Sequence, residues 1–385
     1  LSAYHHEHTD VKDHSRRRYL GACAGGLTAG LAGCFGARAQ LWNVRNDRAQ
    51  WVKTVGTAID GAVRDGTLYV ESTKSLNALD PATGEEQWST MLPKPEGQIC
   101  YSPPLTLDDE RAYVSGCRGT FAFDRETGEQ RWQRNNPNGA MNILRLGERL
   151  YCNRGSELYA LAPESGERVW RRTLSDDIND SFYGPIEYDG TFYFAVWFQM
   201  DERSGIVAVD PADGTTRWTL DVGGVQLQTA PVVDDGTLYV APGRRRDAEY
   251  DRNRLHAIDL DAREVSWTGQ TKAVFEQPVV RNGGVYCISH DHERSYVHAF
   301  DTDGESRWTH TFGSEVDAER LRVADGRVYA WIDQKELIVF DAASGSVRWS
   351  STPPGMADAR PIVYDETVVV PGGNRIFALE RDALG

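Results

Sequence analysis

From about residue 50 onward the chain alternates short apolar runs with tight, acidic, glycine-containing turns. The apolar runs are too short and too rich in Val, Tyr and Phe for helices, and dipeptides such as Asp65-Gly66, Asp235-Gly236 and Asn282-Gly283 mark hairpins between them. One pattern returns along the whole chain. It has an apolar strand, a tight turn, a second strand, a third strand ending in Ala-x-Asp, a second turn, and a tryptophan.

Asp80, Thr83, Gly84 and Trp88 show this unit most fully, and Asp124, Thr127, Gly128 and Trp132 repeat it. It is degenerate around Trp170, Trp218, Trp267, Trp308 and Trp349. Counted from Trp51, the successive tryptophans of this pattern stand 37 to 49 residues apart, the period of a four-stranded propeller blade. The ends agree with that count: three strands follow Trp349 without a further tryptophan, while Trp51 comes with no strands before it. The prediction is therefore an all-β, eight-bladed propeller of four-stranded antiparallel blades over residues 50–385. The segment Gln50 to Lys53 supplies the last blade's missing strand and closes the ring, which removes free sheet edges.

Turn chemistry accounts for the motif. Pro81 fixes a corner, Asp80 and Thr83 can hold turn amides, and Gly84 accepts a positive φ. The tryptophan is then free to pack on the neighbouring blade. Trp51, Trp88, Trp132, Trp170, Trp218, Trp267, Trp308 and Trp349 are assigned as structural docking residues, and none of the motif's Asp or Thr residues as catalytic.

Ala78 to Trp88, reading A-L-D-P-A-T-G-E-E-Q-W, resembles the tryptophan-docking motif of the pyrroloquinoline-quinone-like (PQQ-like) repeat propellers. That family includes the quinoprotein dehydrogenases and the propeller lipoprotein of the bacterial outer-membrane β-barrel assembly machinery. The resemblance covers residues 50–385 and implies the fold strongly but function only weakly, because one repeat serves redox enzymes, scaffolds and sensors. Enzymes of the family hold the quinone beneath a disulfide between adjacent cysteines, beside a calcium or lanthanide ion. No adjacent cysteine pair is present, and the blades lack long insertions. A non-catalytic binding or assembly scaffold without a cofactor is thus expected, with a PQQ- and calcium-dependent, or metal-dependent, oxidoreductase using the channel as the competing class.

The amino-terminal stretch reads as an address. Ser15, Arg16, Arg17, Arg18, Tyr19 and Leu20 form a twin-arginine export signature, and the apolar segment behind it is too short to span a bilayer. That segment closes in Leu31, Ala32, Gly33 and Cys34, which resembles a lipobox with Cys34 as the lipidated residue. Residues 1–33 are then a signal peptide and 34–49 a linker. The expected location is the outer face of the cytoplasmic membrane, held by a lipid anchor.

Composition narrows the partners. A formal net charge of -15 disfavours nucleic acid, since such a surface repels phosphate at long range. Either a cationic partner or a high-salt medium accounts for an acidic chain with few lysines, and the even spread of charge favours the medium. Cys100 and Cys117 flank a hairpin turning at Asp108, Asp109 and Glu110, and a disulfide between them is expected outside the cell. Cys152 and Cys287 take the strand positions that Val70 and Val240 hold elsewhere, which reads as buried apolar filling.

Binding is expected on the rim carrying the connections between second and third strands and between blades, which run long while the other turns are tight. Three segments stand out there. Arg244, Arg245, Arg246, Tyr250, Arg252 and Arg254 form a basic cluster suited to an oxyanion, although Asp247, Glu249 and Asp251 offer self-pairing. His290 and His292 are alternate residues that a transition metal could join, or plain loop histidines. Trp197, Phe198 and Met200 form an apolar run where a polar loop tip is expected, read equally as a contact patch or as blade packing. No Ser-His-Asp order, metalloprotease helix, phosphate loop or dinucleotide fingerprint is present.

Overall fold

First-hairpin turns set the plan of the molecule, and in seven of the eight blades a residue in the left-handed region lets the strand reverse on itself. Asp65, Asp235, Asn282, Asp325 and Asp365 all have φ between 44° and 51°, a conformation that short polar side chains tolerate. In the computed structural model the described residues are 40–41, 49–93, 105–116, 119–135, 140, 142–177, 179–223, 227, 229–241, 255–269, 271, 273–274, 277–290, 294–313, 318–332, 336–352 and 359–384. They form eight antiparallel sheets in a ring, an eight-bladed β-propeller.

Blade 1 runs from Ala58–Arg64 through Thr67–Ser72 and Ser75–Leu79 to Glu86–Met91. The first strands of adjacent blades meet one another, so they are the inner ones and line the central channel. Blade 8 takes Ile362–Tyr364, Thr367–Gly372 and Arg375–Glu380 from the end of the chain and its outer strand, Ala49–Thr54, from the beginning. Trp51 pairs with Ala378 across that seam, so the ring closes as the position of Trp51 predicts. A short strand, Gln40–Leu41, lies parallel to the outer strand of blade 7, Val347–Thr352.

There is no single core. Eight apolar clusters fill the eight seams between neighbouring blades. The second and third strands are covered on both faces, so they read as continuous apolar runs, for example Thr191–Phe198 in blade 4. Outer strands alternate exposed and half-buried residues, as in Thr216–Gly223.

Each docking tryptophan except Trp349 reaches over its seam to the next blade's second turn; blade 8 has no such turn, because its third and fourth strands come from opposite ends of the chain. Indole N–H groups donate to Pro81 O from Trp51 (3.0 Å), Arg125 O from Trp88 (2.9 Å), Pro163 O from Trp132 (2.6 Å), Thr302 O from Trp267 (2.8 Å) and Ala342 O from Trp308 (2.9 Å). The same turns are tied internally. Asp80 Oδ1 accepts the amides of Ala82 and Thr83, and Gly84 N–H donates to Asp80 O. Burial draws the Asp124 carboxyl up, but Arg131 and the Thr127 amide and hydroxyl outweigh it and hold the group at about 2. In these turns the motif's acids bind their own backbone amides.

Blade 5 departs from the motif in an informative way. Arg263 stands where the glycine belongs, keeps the positive φ at 56°, and lays its guanidinium 5.3 Å from the ring centre of Trp218. A cation over the indole face replaces the bare backbone contact there.

One arginine ties blades 1 and 2 together. Arg125 is 6% exposed, donates to Tyr69 Oη, Asp108 O, Asp109 O and Asp65 Oδ2, and offers its own carbonyl to Trp88. Arg125→Ala is expected to cost about 2 kcal/mol, from several lost charge-assisted bonds and lost packing on Tyr69. Arg125→Lys should recover little of it, because one ammonium cannot reach four acceptors set for a planar fork. Chemical denaturation of the three proteins at neutral pH checks this; full rescue by lysine would show that charge alone matters.

Candidate binding rim and channel

The two ends of the ring differ in how they are built. At one end lie the first-hairpin turns and the docking turns, short and hydrogen-bonded throughout. At the other lie the ends of the second strands and the starts of the third, with turns such as Gln199–Glu202 of blade 4.

The predicted rim segments fall unevenly on this frame. Arg244, Arg245, Arg246, Tyr250, Arg252, Arg254 and His292 lie outside the described residues, as do Cys34, Cys100 and Cys117. His290 ends the second strand of blade 6, half-buried, with Nδ1 2.7 Å from Ser295 Oγ. Among the described residues no group of three His, Cys, Asp or Glu side chains could hold a metal ion.

The apolar run of blade 4 needs correcting in part. Trp197 is only 6% exposed, so it is blade packing rather than a contact residue. The reason lies in its strand, which is covered on both faces, so its apolar residues mark no particular side. Phe198 is half-buried beneath the Arg203 guanidinium, 4.7 Å from its ring centre, and Arg203 also pairs with Asp201 (3.0 Å) and Asp221 (3.5 Å). Met200, at the tip of the turn Gln199–Glu202, is 78% exposed. Asp180 holds the base of that turn, accepting the Gln199 amide at 3.0 Å and the Ser175 hydroxyl at 2.6 Å. A rigid turn thus presents one methionine at the rim.

Cys152 and Cys287 are fully buried free thiols, and burial pushes both up to about 12. They are inert packing, as expected from their strand positions.

Sequence reasoning missed the channel. Arg281 and Arg322 lie on the inner strands of blades 6 and 7, Arg360 lies two residues before that of blade 8, and the charges of Arg281 and Arg360 both act on Arg322. Arg322 is lowered from the usual arginine value by burial first, then by the charges of Arg360 and Arg281; the carboxylate of Asp60 opposes them. Asp60, on the inner strand of blade 1, has its carboxyl raised by burial and accepts the Leu105 amide of blade 2 at 2.8 Å. No ion pair joins Arg281, Arg322 or Arg360 to an acid among the described residues. The signal that could have found them is their offset from the first-hairpin turn. Arg281 immediately precedes Asn282, Arg322 stands three residues before Asp325, and Arg360 stands five before Asp365. Odd offsets share one face of a strand, and Val279 and Ile362, at the parity of Arg281 and Arg322, pack toward the following blade; Arg360 precedes its strand.

Fold and docking motif together define a propeller of PQQ-like repeats. The chain belongs to the family described as outer membrane protein assembly factor BamB, whose model matches residues 30–199, 202–294 and 293–384.

Relatives span several named roles. A serine/threonine-protein kinase, AfsK of Streptomyces griseus, is 29% identical over 198 residues, which are 48% of this chain and 22% of the kinase. BamB of Moranella endobia (strain PCIT) is 22% identical over 224 residues, 54% of this chain and 52% of that protein. The chain therefore spans about a fifth and about half of these two curated relatives. Among solved structures, BamB from Moraxella catarrhalis superposes with a TM-score of 0.67 at 15% identity, covering 86% of this chain and 98% of its own. Quinohemoprotein alcohol dehydrogenase from Comamonas testosteroni superposes with a TM-score of 0.62 at 14% identity, covering 87% of this chain and 76% of its own. At these identities the structures speak for the fold alone. No helix among the described residues is long and apolar enough to cross a membrane.

Proposed function

We propose that this propeller is a non-catalytic scaffold, exported by the twin-arginine route and tethered through Cys34, that binds a protein or envelope component through its long-loop rim. The observation that carries this reading is the asymmetry of the two ends. One is sealed by short turns whose polar groups bond one another, whereas the other displays side chains such as Met200 on turns that a rigid blade holds in place. A BamB relative named as an assembly factor supports the same reading. The absence of an adjacent cysteine pair anywhere in the sequence argues against the quinone-dependent alternative.

Site-specific photo-crosslinking in intact cells tests the rim. A photoreactive phenylalanine analogue replaces Met200 at the long-loop end or Glu126 at the tight-turn end. A discrete adduct from position 200 and none from position 126 is expected; equal labelling from both, or none from either, overturns the rim assignment. The purified full chain is also incubated with PQQ and calcium, and its absorbance spectrum and metal content are compared before and after. No uptake is expected, and stoichiometric uptake of quinone with a bound metal overturns the non-catalytic reading.

A further inference from the structure

Arg125 and Arg381 hold equivalent places, each directly after the acid that ends a third strand, and the two meet the same set of acceptors. Arg125 donates to the Asp65 carboxylate in the first-hairpin turn of the preceding blade (2.7 Å) and to Asp109 O in that of its own blade (3.0 Å). Arg381 donates to the Asp325 carboxylate in the turn of the preceding blade (2.9 Å) and to Asp365 O in that of its own (2.7 Å). Their backbone amides keep the same register, since Arg125 N–H reaches Glu110 O and Arg381 N–H reaches Glu366 O. At the tight-turn end, then, each of these two seams is a notch closed by one guanidinium.

Proline takes the arginine's place three times, as Pro81, Pro163 and Pro211, and brings no cation. What faces it decides the consequence. Before Pro163 the turn acid, Asp109, is held by Arg64, and before Pro211 a glycine, Gly147, stands where the acid would be. Between blades 8 and 1 the acid is Asp365, and neither it nor Glu366 forms an ion pair among the described residues. The Tyr364 side chain hydrogen-bonds Asp365, and a carboxylate has acceptor sites beyond one such bond.

A cavity of about 840 Å³ opens at this seam, with Gln50, Pro81, Tyr364, Asp365, Glu366 and Arg381 in its lining. Its size follows from the strand register. Tyr69 and Tyr329, which stand in the second strands beside Arg125 and Arg381, have the shorter Val369 as their counterpart in blade 8. The Arg381 guanidinium is bound to Asp325 and to Asp365 O, so the lining sets two carboxylates without ion pairs against one cation that already has its partner. Exposure is no obstacle to the contact, because Asp65 is 72% exposed where it holds Arg125.

The molecule thus shows twice what such a notch accepts: a planar fork that a carboxylate and a turn carbonyl share. We propose that the notch between blades 8 and 1 binds a guanidinium group from outside the chain, as an arginine side chain of a polypeptide or as the free amino acid, with Asp365 as its carboxylate partner and Pro81 and Tyr364 as walls. It lies at the opposite end of the ring from Met200, and either site can fail without the other.

Titration of the full chain followed by saturation-transfer NMR tests the proposal. The probes are N-acetyl-L-argininamide, which stands for an arginine within a polypeptide, free L-arginine, and N-acetyl-L-citrullinamide, which keeps the shape without the charge. Saturable binding of at least one arginine compound is expected, with the citrulline compound on the order of tenfold weaker, and the tighter arginine compound identifies the source. Asp365→Asn should weaken that binding about fivefold or more. Asparagine tolerates the φ of 45° at this position, so the turn is kept. Pro81→Arg supplies the cation from within the chain. It should block the probe and melt higher than Pro81→Gln, which makes the same backbone change without a charge, and Asp365→Asn should erase that difference in midpoint. A merely structural turn would give Pro81→Arg and Pro81→Gln one midpoint. No saturable binding of either arginine compound, equal binding of the citrulline compound, or binding that survives both Asp365→Asn and Pro81→Arg overturns the site.

Discussion

Trp132→Ala is expected to destabilise the propeller by about 3 to 5 kcal/mol, as for other buried aromatic truncations. Trp132 is 8% exposed, its indole N–H donates to Pro163 O at 2.6 Å, and its ring lies against Tyr113 with centres 6.0 Å apart. The seam between blades 2 and 3 would lose an aromatic body, a hydrogen bond and the surface on which Gly166 rests. Approaching the same contact from the other side gives an independent check. Gly166 has a φ of 69°, and a Cβ added there would stand 2.6 Å from the Trp132 ring. Gly166→Ala should therefore cost about 2 kcal/mol or more, combining the strained backbone with displacement of the indole.

Because both changes damage one contact, the double variant should cost clearly less than the sum of the two single variants. Denaturant midpoints followed by far-ultraviolet circular dichroism decide the matter. A loss below about 1 kcal/mol for Trp132→Ala would mean that the tryptophans decorate the seams instead of holding them. The expectation extends to Trp51, whose indole docks on Gly84 across the seam joining the two ends of the described chain. Damage there also unlatches the strand that closes the ring.

The contrast between what the sequence discloses and what it conceals has a physical basis. Blade number and closure were legible because Asp80, Gly84 and Trp88 recur at near-constant spacing, and each recurrence is a local requirement of one turn. Trp197 was ambiguous because the second strand of a blade is buried on both faces, so alternation, which tells inside from outside, is erased. The channel arginines were illegible for a different reason. Arg281, Arg322 and Arg360 are about 40 residues apart in the chain, and each is an ordinary polar position in or just before its own strand. Only ring closure brings them together. The Arg263 substitution shows the same limit in reverse: the motif loses its glycine, yet Trp218 still finds a partner because the arginine folds over the indole.

Acidification is expected to remove about 3 kcal/mol of stability between about pH 6.5 and pH 4, most of it above the ordinary carboxylate range. The group responsible is His298 in the third strand of blade 6, 6% exposed and stacked between Tyr296 and Phe300 at 5.8 Å from each. Its Nε2 lies 2.7 Å from Ser289 Oγ and its Nδ1 3.0 Å from Thr309 Oγ1, so the neutral ring is satisfied on both sides. Burial lowers it to about 4. In the unfolded chain an ordinary histidine takes a proton near pH 6.5, so between these values the unfolded state binds the extra proton and gains stability relative to the fold. The loss begins as the pH drops through the unfolded value and is complete below the folded one.

His310 is lowered by burial as well and adds to the same window with the same sign. The turn carboxylates act elsewhere. Asp124, held at about 2, and Asp341, held low by Arg348 and the Ser344 amide and hydroxyl, lose their stabilising contribution only as the pH falls from the ordinary carboxylate range toward those values. Urea midpoints of the parent and His298→Gln at pH 7.0, 5.5 and 4.5 separate the two effects. Glutamine retains a donor and an acceptor but cannot titrate, so the variant should lose some stability at pH 7.0 and then vary much less with pH, the residual slope belonging to His310. A slope equal to the parent's would place the acid sensitivity in other groups and disprove the assignment to His298.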